Sequence, residues 1–313
     1  MPELLSAEFL VSLGAAGVRM ATPLVLAALG EIVAERSGVM NLGLEGIMTV
    51  GAFAAYVGTL YSGSFSIGLL LAILAGACFG LLMSYMSITL RCNQVVSGLS
   101  IWLFGTGVVG FIFLGTFGAV TVPKTIPTLS AIEIPLLSSI PIIGDIFFKH
   151  HILVYLSFVL VLVFWLFLFK TTYGLRITSV GENPHAADTL GINVFRIRYL
   201  CVVFGSMMAA IAGATLTFEL GFFREYMVAG RGWMTIAIVI FGNWAPLRAL
   251  GGALLFGLAD GLQMRIGALG YFVMEYQILR TLPYLVTIAA LILISRRAGG
   301  PAALGVPFER GQK

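Results

Sequence analysis

The sequence predicts an all-α polytopic membrane protein with eight to ten transmembrane helices. Three observations predict it. Of 313 residues, 59% are hydrophobic and only 10% charged, against about 25% charged in a soluble domain. Apolar runs recur along the chain, each matching the roughly 20 residues that cross a hydrocarbon core of about 30 Å. The apolar residues run continuously instead of alternating, which excludes a transmembrane β-barrel.

Nine segments read as spans: 9–34, 42–61, 65–90, 94–117, 151–169, 197–219, 229–244, 247–268 and 279–296. The segment 229–244 is short, so the region 228–280 has room for a re-entrant or broken helix. The opening Met-Pro-Glu-Leu-Leu-Ser-Ala-Glu lacks the positive flank of a signal peptide, so the first span is expected to be retained. The loop 118–150 carries Pro123, Pro127, Pro135 and Pro141, too many interruptions for a span. Its apolar residues are expected to pack on the outer face or against a partner.

Lys and Arg set the orientation. With the loop 171–198 in the cytoplasm, eleven basic residues fall inside and six outside, the six being Lys124, Lys149, Arg224, Arg231, Arg265 and Arg280. Eight crossings then put the N-terminus outside and the C-terminus inside. The formal net charge of +4 reports this topology and does not point to nucleic acid. Cys78, Cys92 and Cys201 lie in or beside spans, and their odd number and wide spacing suit neither a disulfide framework nor a metal site.

The spans differ in kind. Gly68, Ala72, Gly76, Gly80 and Ser84 recur at four-residue intervals, as do Gly205, Ala209 and Gly213, and Ala253, Gly257 and Gly261. Such spacing makes a flat seam that lets another helix approach closely. Packing alone accounts for it, so it does not specify transport. The segment 152–169 has neither Gly nor Ala and is expected at the lipid-facing periphery.

The longest polar stretch, 171–198, separates two spans. Asn183 suits an N-cap, Pro184 the first helical position and Gly191 a left-handed C-cap, so one short helix is expected over 184–190. At 1.5 Å per residue it is about 10 Å long and spans nothing. It is either a surface rod that plugs into a soluble protein or an ordinary capped turn between helices.

Polar residues at membrane depth are candidates for function because they are costly there. Glu31, Asn41, Glu45, Asn93, Gln94, Trp102, Asn243, Asp260 and Gln263 are the candidates for a translocation path. For Glu31 and Glu35 a structural alternative competes, since Arg36 could pair with either. For Asp260, interhelical hydrogen bonding competes equally. Phe104, Trp102, Trp233 and Trp244 offer stacking surfaces, although Trp also serves as an interfacial anchor. The chain has no Gly-x-x-x-x-Gly-Lys-Ser/Thr phosphate loop, no Ser/His/Asp pattern and no metal-ligand cluster, so an enzyme is not expected.

Three stretches carry a resemblance over nearly the whole chain. They are Glu35-Arg36-Ser37-Gly38-Val39-Met40-Asn41-Leu42-Gly43-Leu44-Glu45-Gly46, then Gly181-Glu182-Asn183-Pro184-His185-Ala186-Ala187-Asp188-Thr189-Leu190-Gly191-Ile192, and Gly230-Arg231-Gly232-Trp233 with Ile240-Phe241-Gly242-Asn243-Trp244-Ala245-Pro246-Leu247. The chain thereby resembles permease subunits of bacterial ATP-binding-cassette importers for branched-chain amino acids, simple sugars and nucleosides. The first stretch, with Asn93-Gln94-Val95-Val96-Ser97-Gly98 and Phe256-Gly257-Leu258-Ala259-Asp260-Gly261, is most similar to the nucleoside branch.

The resemblance implies one permease domain over 1–313 in the bacterial cytoplasmic membrane, with an extracytoplasmic loop at 118–150 and a cytoplasmic coupling loop at 171–196. Gly181, Glu182, Asn183, Pro184, His185, Ala186, Ala187, Asp188 and Gly191 would couple it to ATPase subunits that carry ATP and Mg, and the chain itself would hold no cofactor. A second related permease in a heterodimer and an external substrate-binding lipoprotein are the other implied partners. The alternatives are a simple-sugar or branched-chain amino-acid permease, a stand-alone secondary transporter or channel, or a structural scaffold.

Overall fold

The computed structural model describes residues 7–118, 124–268 and 299–310, together with Thr281 and Leu285. It is a helical bundle: α1 (Ala7–Arg36), α2 (Leu44–Ser62), α3 (Phe65–Ser84, continued by a π turn Tyr85–Thr89), α4 (Gln94–Phe117), α5 (Ile143–Phe147), α6 (Ile152–Lys170), α7 (Thr172–Glu182), α8 (Pro184–Thr189), α9 (Val194–Leu220), α10 (Arg231–Phe241) and α11 (Pro246–Ala268). Two short strands, β1 (Ile132–Glu133) and β2 (Lys149–His150), pair antiparallel in the loop after α4.

Six of these helices, α1, α2, α3 with its π turn, α4, α6 and α9, are long and apolar enough to cross a membrane. The chain is a multi-pass membrane protein. At 23 residues α11 is about 34 Å long and carries Asp260 and Arg265. The expected span 279–296 lies outside the described residues, apart from Thr281 and Leu285.

Side chains from the preceding turn cap four of the helix starts. Asn93 accepts from the backbone N–H of Val95 and Val96 at the head of α4, Thr171 from Gly174 at α7, Asn183 from Ala186 at α8 and Asn193 from Arg196 at α9. Each satisfies N–H groups that the helix itself leaves without a partner.

The small-residue seams build the core. All five positions of the α3 seam are buried. Gly76 and Gly80 lie against Ser206, Met207, Ala210 and Val203 of α9, and Gly68 against Ala55 and Thr59 of α2. On α9, Gly205 meets Gly30 of α1 and Gly213 meets Met48 of α2, while Gly257 of α11 meets Gly17 and Ala21 of α1. A Cβ on Gly213 would stand 1.9 Å from the Met48 carbonyl oxygen. Gly213→Ala is therefore expected to cost about 1–3 kcal/mol or more by overpacking. Gly107→Ala, where a Cβ meets nothing within 4 Å, should be near neutral. Thermal unfolding of both variants in detergent checks this.

At the periphery, α6 exposes Leu156, Val159, Leu162 and Leu166 and buries Val154, Val161 and Phe164. The described part of the loop after α4 lies across one end of the bundle. Ile126 and Leu129 donate their backbone N–H to Gly221 and Phe218, and the Tyr56 hydroxyl donates to the Lys124 carbonyl.

The stretch expected to hold one helix holds two. Before α8, the helix α7 buries Gly174, Ile177, Val180 and Gly181 and exposes Tyr173, Leu175 and Arg176. That amphipathic spacing suits a helix lying along an interface. Residues 299–310 fold back onto the same face of the molecule. Ala303 N–H donates to Gly181 O, Gly305 N–H to Gly38 O, and the Arg198 guanidinium to Ser37 O and Val306 O.

Candidate functional site

The register against α9 fixes the depth of each group. α9 has 27 residues and runs about 40 Å from the face of α8 to the opposite face. Its Ser206 lies about 18 Å from the α8 end and accepts from Asn41 Nδ2 at 3.3 Å. Gly213, about 10 Å further on, meets Met48. The non-helical segment 37–43 therefore climbs from the α8 face to the middle of the bundle, where α2 begins. Asn41 secures this climb: its backbone N–H donates to Glu31 Oε1 at 2.9 Å, and its Oδ1 accepts from Gly43 N–H. Gln94 Oε1 accepts from Met40 N–H at 2.8 Å.

At the same depth α10 begins. It has 11 residues, about 16 Å, half of a hydrocarbon core. It is the broken helix for which the sequence leaves room. Its first turn is held by Glu45: Oε1 accepts from Gly230 N–H and Oε2 from Gly232 N–H, each at 2.8 Å. A carboxylate at a helix N-terminus meets the positive end of the helix dipole. Gly232 is required because a Cβ there would lie 2.4 Å from the Glu45 backbone nitrogen. Between Gly230 and Gly232, Arg231 reaches Asp260 of α11 at 2.6 Å, and its other terminal nitrogen donates to the Met227 and Val228 carbonyls. Beside this turn, Trp102 of α4 and Trp233 of α10 meet edge to face, ring centres 5.4 Å apart and planes at 89°. Both are half-buried.

The far end of α10 returns to the α8 face. Asn243 and Trp244 turn the chain with positive φ of 49° and 53°. Trp244 Nε1 donates to Glu35, its carbonyl accepts from Arg36 Nε at 2.7 Å, and Asn243 Oδ1 accepts from Gly299 N–H.

The sequence candidates thus divide. Glu45, Trp102 and Asp260 converge at mid-depth around the start of α10. Glu31, Asn41 and Gln94 brace the climbing segment, Asn93 caps α4 at an exposed position, and Asn243 sits in the turn at the α8 face. Gln263 lies half-buried on α11. Two expectations are corrected. Arg231 is not an outer-loop charge but lies at membrane depth, paired with Asp260. Arg36 forms no ion pair with Glu31 or Glu35 among the described residues; it bonds the Trp244 carbonyl and stands over the Phe169 ring at 4.7 Å. Trp244 is buried, 6% exposed, so it offers no free stacking face. Gly230, Arg231 and Gly232 join the site although they are not among the path candidates the sequence offers; their Gly-Arg-Gly-Trp motif is visible in it.

At the α8 face, Asn183 caps Pro184–Thr189 and Gly191 leaves it with φ of 80°. Pro184 and Ala187 are buried. Glu182 Oε2 accepts from Ala302 N–H, Asp188 pairs with Arg310 at 3.0 Å, and the His185 ring lies 5.1 Å from that of Phe308. Ala186, Thr189 and Leu190 remain exposed, Leu190 at 80%.

Long helices, a half-helix entering at mid-depth and polar groups gathered at its tip define a membrane transport protein, in which irregular backbone at this depth is tolerated where it faces a cavity or protein. The particular family follows from comparison. Residues 14–295 match the model of the branched-chain amino acid transport system permease component, and the chain belongs to that family. It is 38% identical over 303 residues to the guanosine ABC transporter permease of Bacillus subtilis, covering 94% of this chain and 95% of that one. It is 38% identical over 299 residues to a nucleoside ABC transporter permease of Lactococcus lactis, covering 92% and 93%. A Haloferax volcanii protein assigned provisionally to a glucose ABC transporter is 39% identical over 308 residues, covering 91% and 92%. No solved structure matches the chain.

Proposed function

We propose that the chain is the membrane subunit of an ATP-driven importer and forms part of the path by which nucleosides enter the cell. The observation that carries this reading is the half-buried Trp102–Trp233 pair beside the Glu45-held tip of α10. Aromatic faces stack nucleobases at about 1–3 kcal/mol per base. Similarity to guanosine and nucleoside permeases over more than nine-tenths of both chains supports it.

In this reading α8 is the docking element for a separate ATPase that carries ATP and Mg, and its face is cytoplasmic, as is the packed segment 299–310. The apolar flanks of α3 and α4, with Leu74, Leu103 and Phe111 exposed, suit a second permease. The loop over the opposite face, where Leu136 and Ile142 are exposed, suits an external binding protein.

Uptake of labelled guanosine by cells carrying the complete importer tests the cargo. Unlabelled nucleosides should compete, whereas glucose, ribose and leucine should not. Trp102→Ala and Trp233→Ala should each lower uptake by about fivefold or more, from the stacking energy lost. Competition by glucose alone would favour the sugar reading that the Haloferax relative supports.

A further inference from the structure

A groove of about 940 Å³ opens between α6, α7 and α9, rimmed by Leu190 and Ile192 of the link from α8 to α9 and away from the α10 tip. Its walls are Val163, Phe164 and Phe167 of α6 and Leu200 and Phe204 of α9. Phe164 lies about 9 Å, and Phe204 about 15 Å, from the α8-face ends of their helices. The groove therefore runs from the interface into the apolar layer. Its mouth carries two cations, Arg176 on α7 and Arg196 on the first turn of α9. Both are exposed, and neither has a carboxylate partner among the described residues. Arg176 stands over the Tyr173 ring at 5.6 Å, which leaves its N–H donors free. An apolar trough with a doubly cationic mouth at the interface is complementary to one class of molecule: two acyl chains below a negatively charged phosphate headgroup.

We propose that this groove binds an anionic phospholipid, with Arg176 and Arg196 on the headgroup phosphate and the acyl chains against Phe164, Phe167 and Phe204. Guanidinium forks match phosphate oxygens in bidentate fashion. Basic pockets between helices at a membrane interface bind anionic headgroups. The bound lipid would wedge α7 against α6 and α9 and so steady the helix that leads directly into α8.

Native mass spectrometry of the full chain in detergent, mixed with equal amounts of phosphatidylglycerol and phosphatidylcholine, tests this. The chain should retain phosphatidylglycerol in clear preference to phosphatidylcholine. Arg176→Gln and Arg196→Gln should each lower that retention roughly fivefold, and Arg224→Gln, at the opposite face, should leave it unchanged. Equal retention of the two lipids, or unaltered phosphatidylglycerol retention in the double variant, overturns the proposal. Should the double variant not fold, the lipid preference of the unsubstituted chain and the single Arg196→Gln variant decide the matter. This outcome is independent of the cargo.

Discussion

Glu45→Ala is expected to abolish uptake and lower thermal stability. The Glu45 carboxylate accepts both backbone N–H groups of Gly230 and Gly232, close to the middle of the bundle where water is scarce. Removing it leaves two donors without a partner, at about 1–3 kcal/mol each. It also removes the negative charge from the N-terminus of α10, worth up to about 2 kcal/mol in a partly buried setting. The tip of α10 then loses its only fixed anchor to α2 among the hydrogen bonds described, and Trp233 loses its fixed position beside Trp102. Glu45→Gln should fall between the two, because its amide nitrogen faces one of the donors. Uptake and unfolding temperature of the three proteins measure this. Full activity and stability in Glu45→Ala would remove the mid-depth junction from the mechanism.

Ala186→Arg is expected to lower ATP-dependent uptake at least about tenfold, a loss of about 1.4 kcal/mol in coupling, while the unfolding temperature stays unchanged. Ala186 is exposed on α8 and contributes to the face left free by its packing. A long charged side chain there would obstruct the docking partner proposed for α8 without touching the core. Ala187→Arg should behave differently. Ala187 is 2% exposed, packed with Val180, Val194 and Phe308, so a buried cation there should destabilise the chain itself. The contrast between adjacent residues separates docking from folding. Normal uptake by Ala186→Arg would dismiss α8 as a coupling element.

Much of this architecture is legible in the sequence. Length and continuous apolarity place the long helices within a few residues, because a hydrocarbon slab imposes one strong requirement on composition. The four-residue seams of α3, α9 and α11 could be read directly, since small side chains at that spacing have one packing use. Asn183, Pro184 and Gly191 bracket α8 because caps are local chemistry. What was missed is non-local. Nothing near Arg231 shows that it faces Asp260, 29 residues on, so counting it as an outer charge followed the ordinary topology rule. Glu45 could be nominated for its charge, but its partners lie 185 and 187 residues away. The helix α7 goes unread in the sequence beside Gly174 and Gly181, since glycine is a poor helix former. In fact they are places where backbones touch: a Cβ on Gly181 would lie 2.1 Å from the Arg36 carbonyl oxygen.

The segment 299–310 bears on how the protein is made. Asp188 and its partner Arg310 are 122 residues apart, and Phe308 completes the small cluster under Ala187. Chains grow from the N-terminus at about 5–20 residues per second, so the α8 face is exposed for many seconds before its last supports emerge. A partial chain carries α8 without the segment that braces it. The α8 face is thus braced only after a further 122 residues have been made, so on the growing chain it stands unsupported while the helices between are laid down.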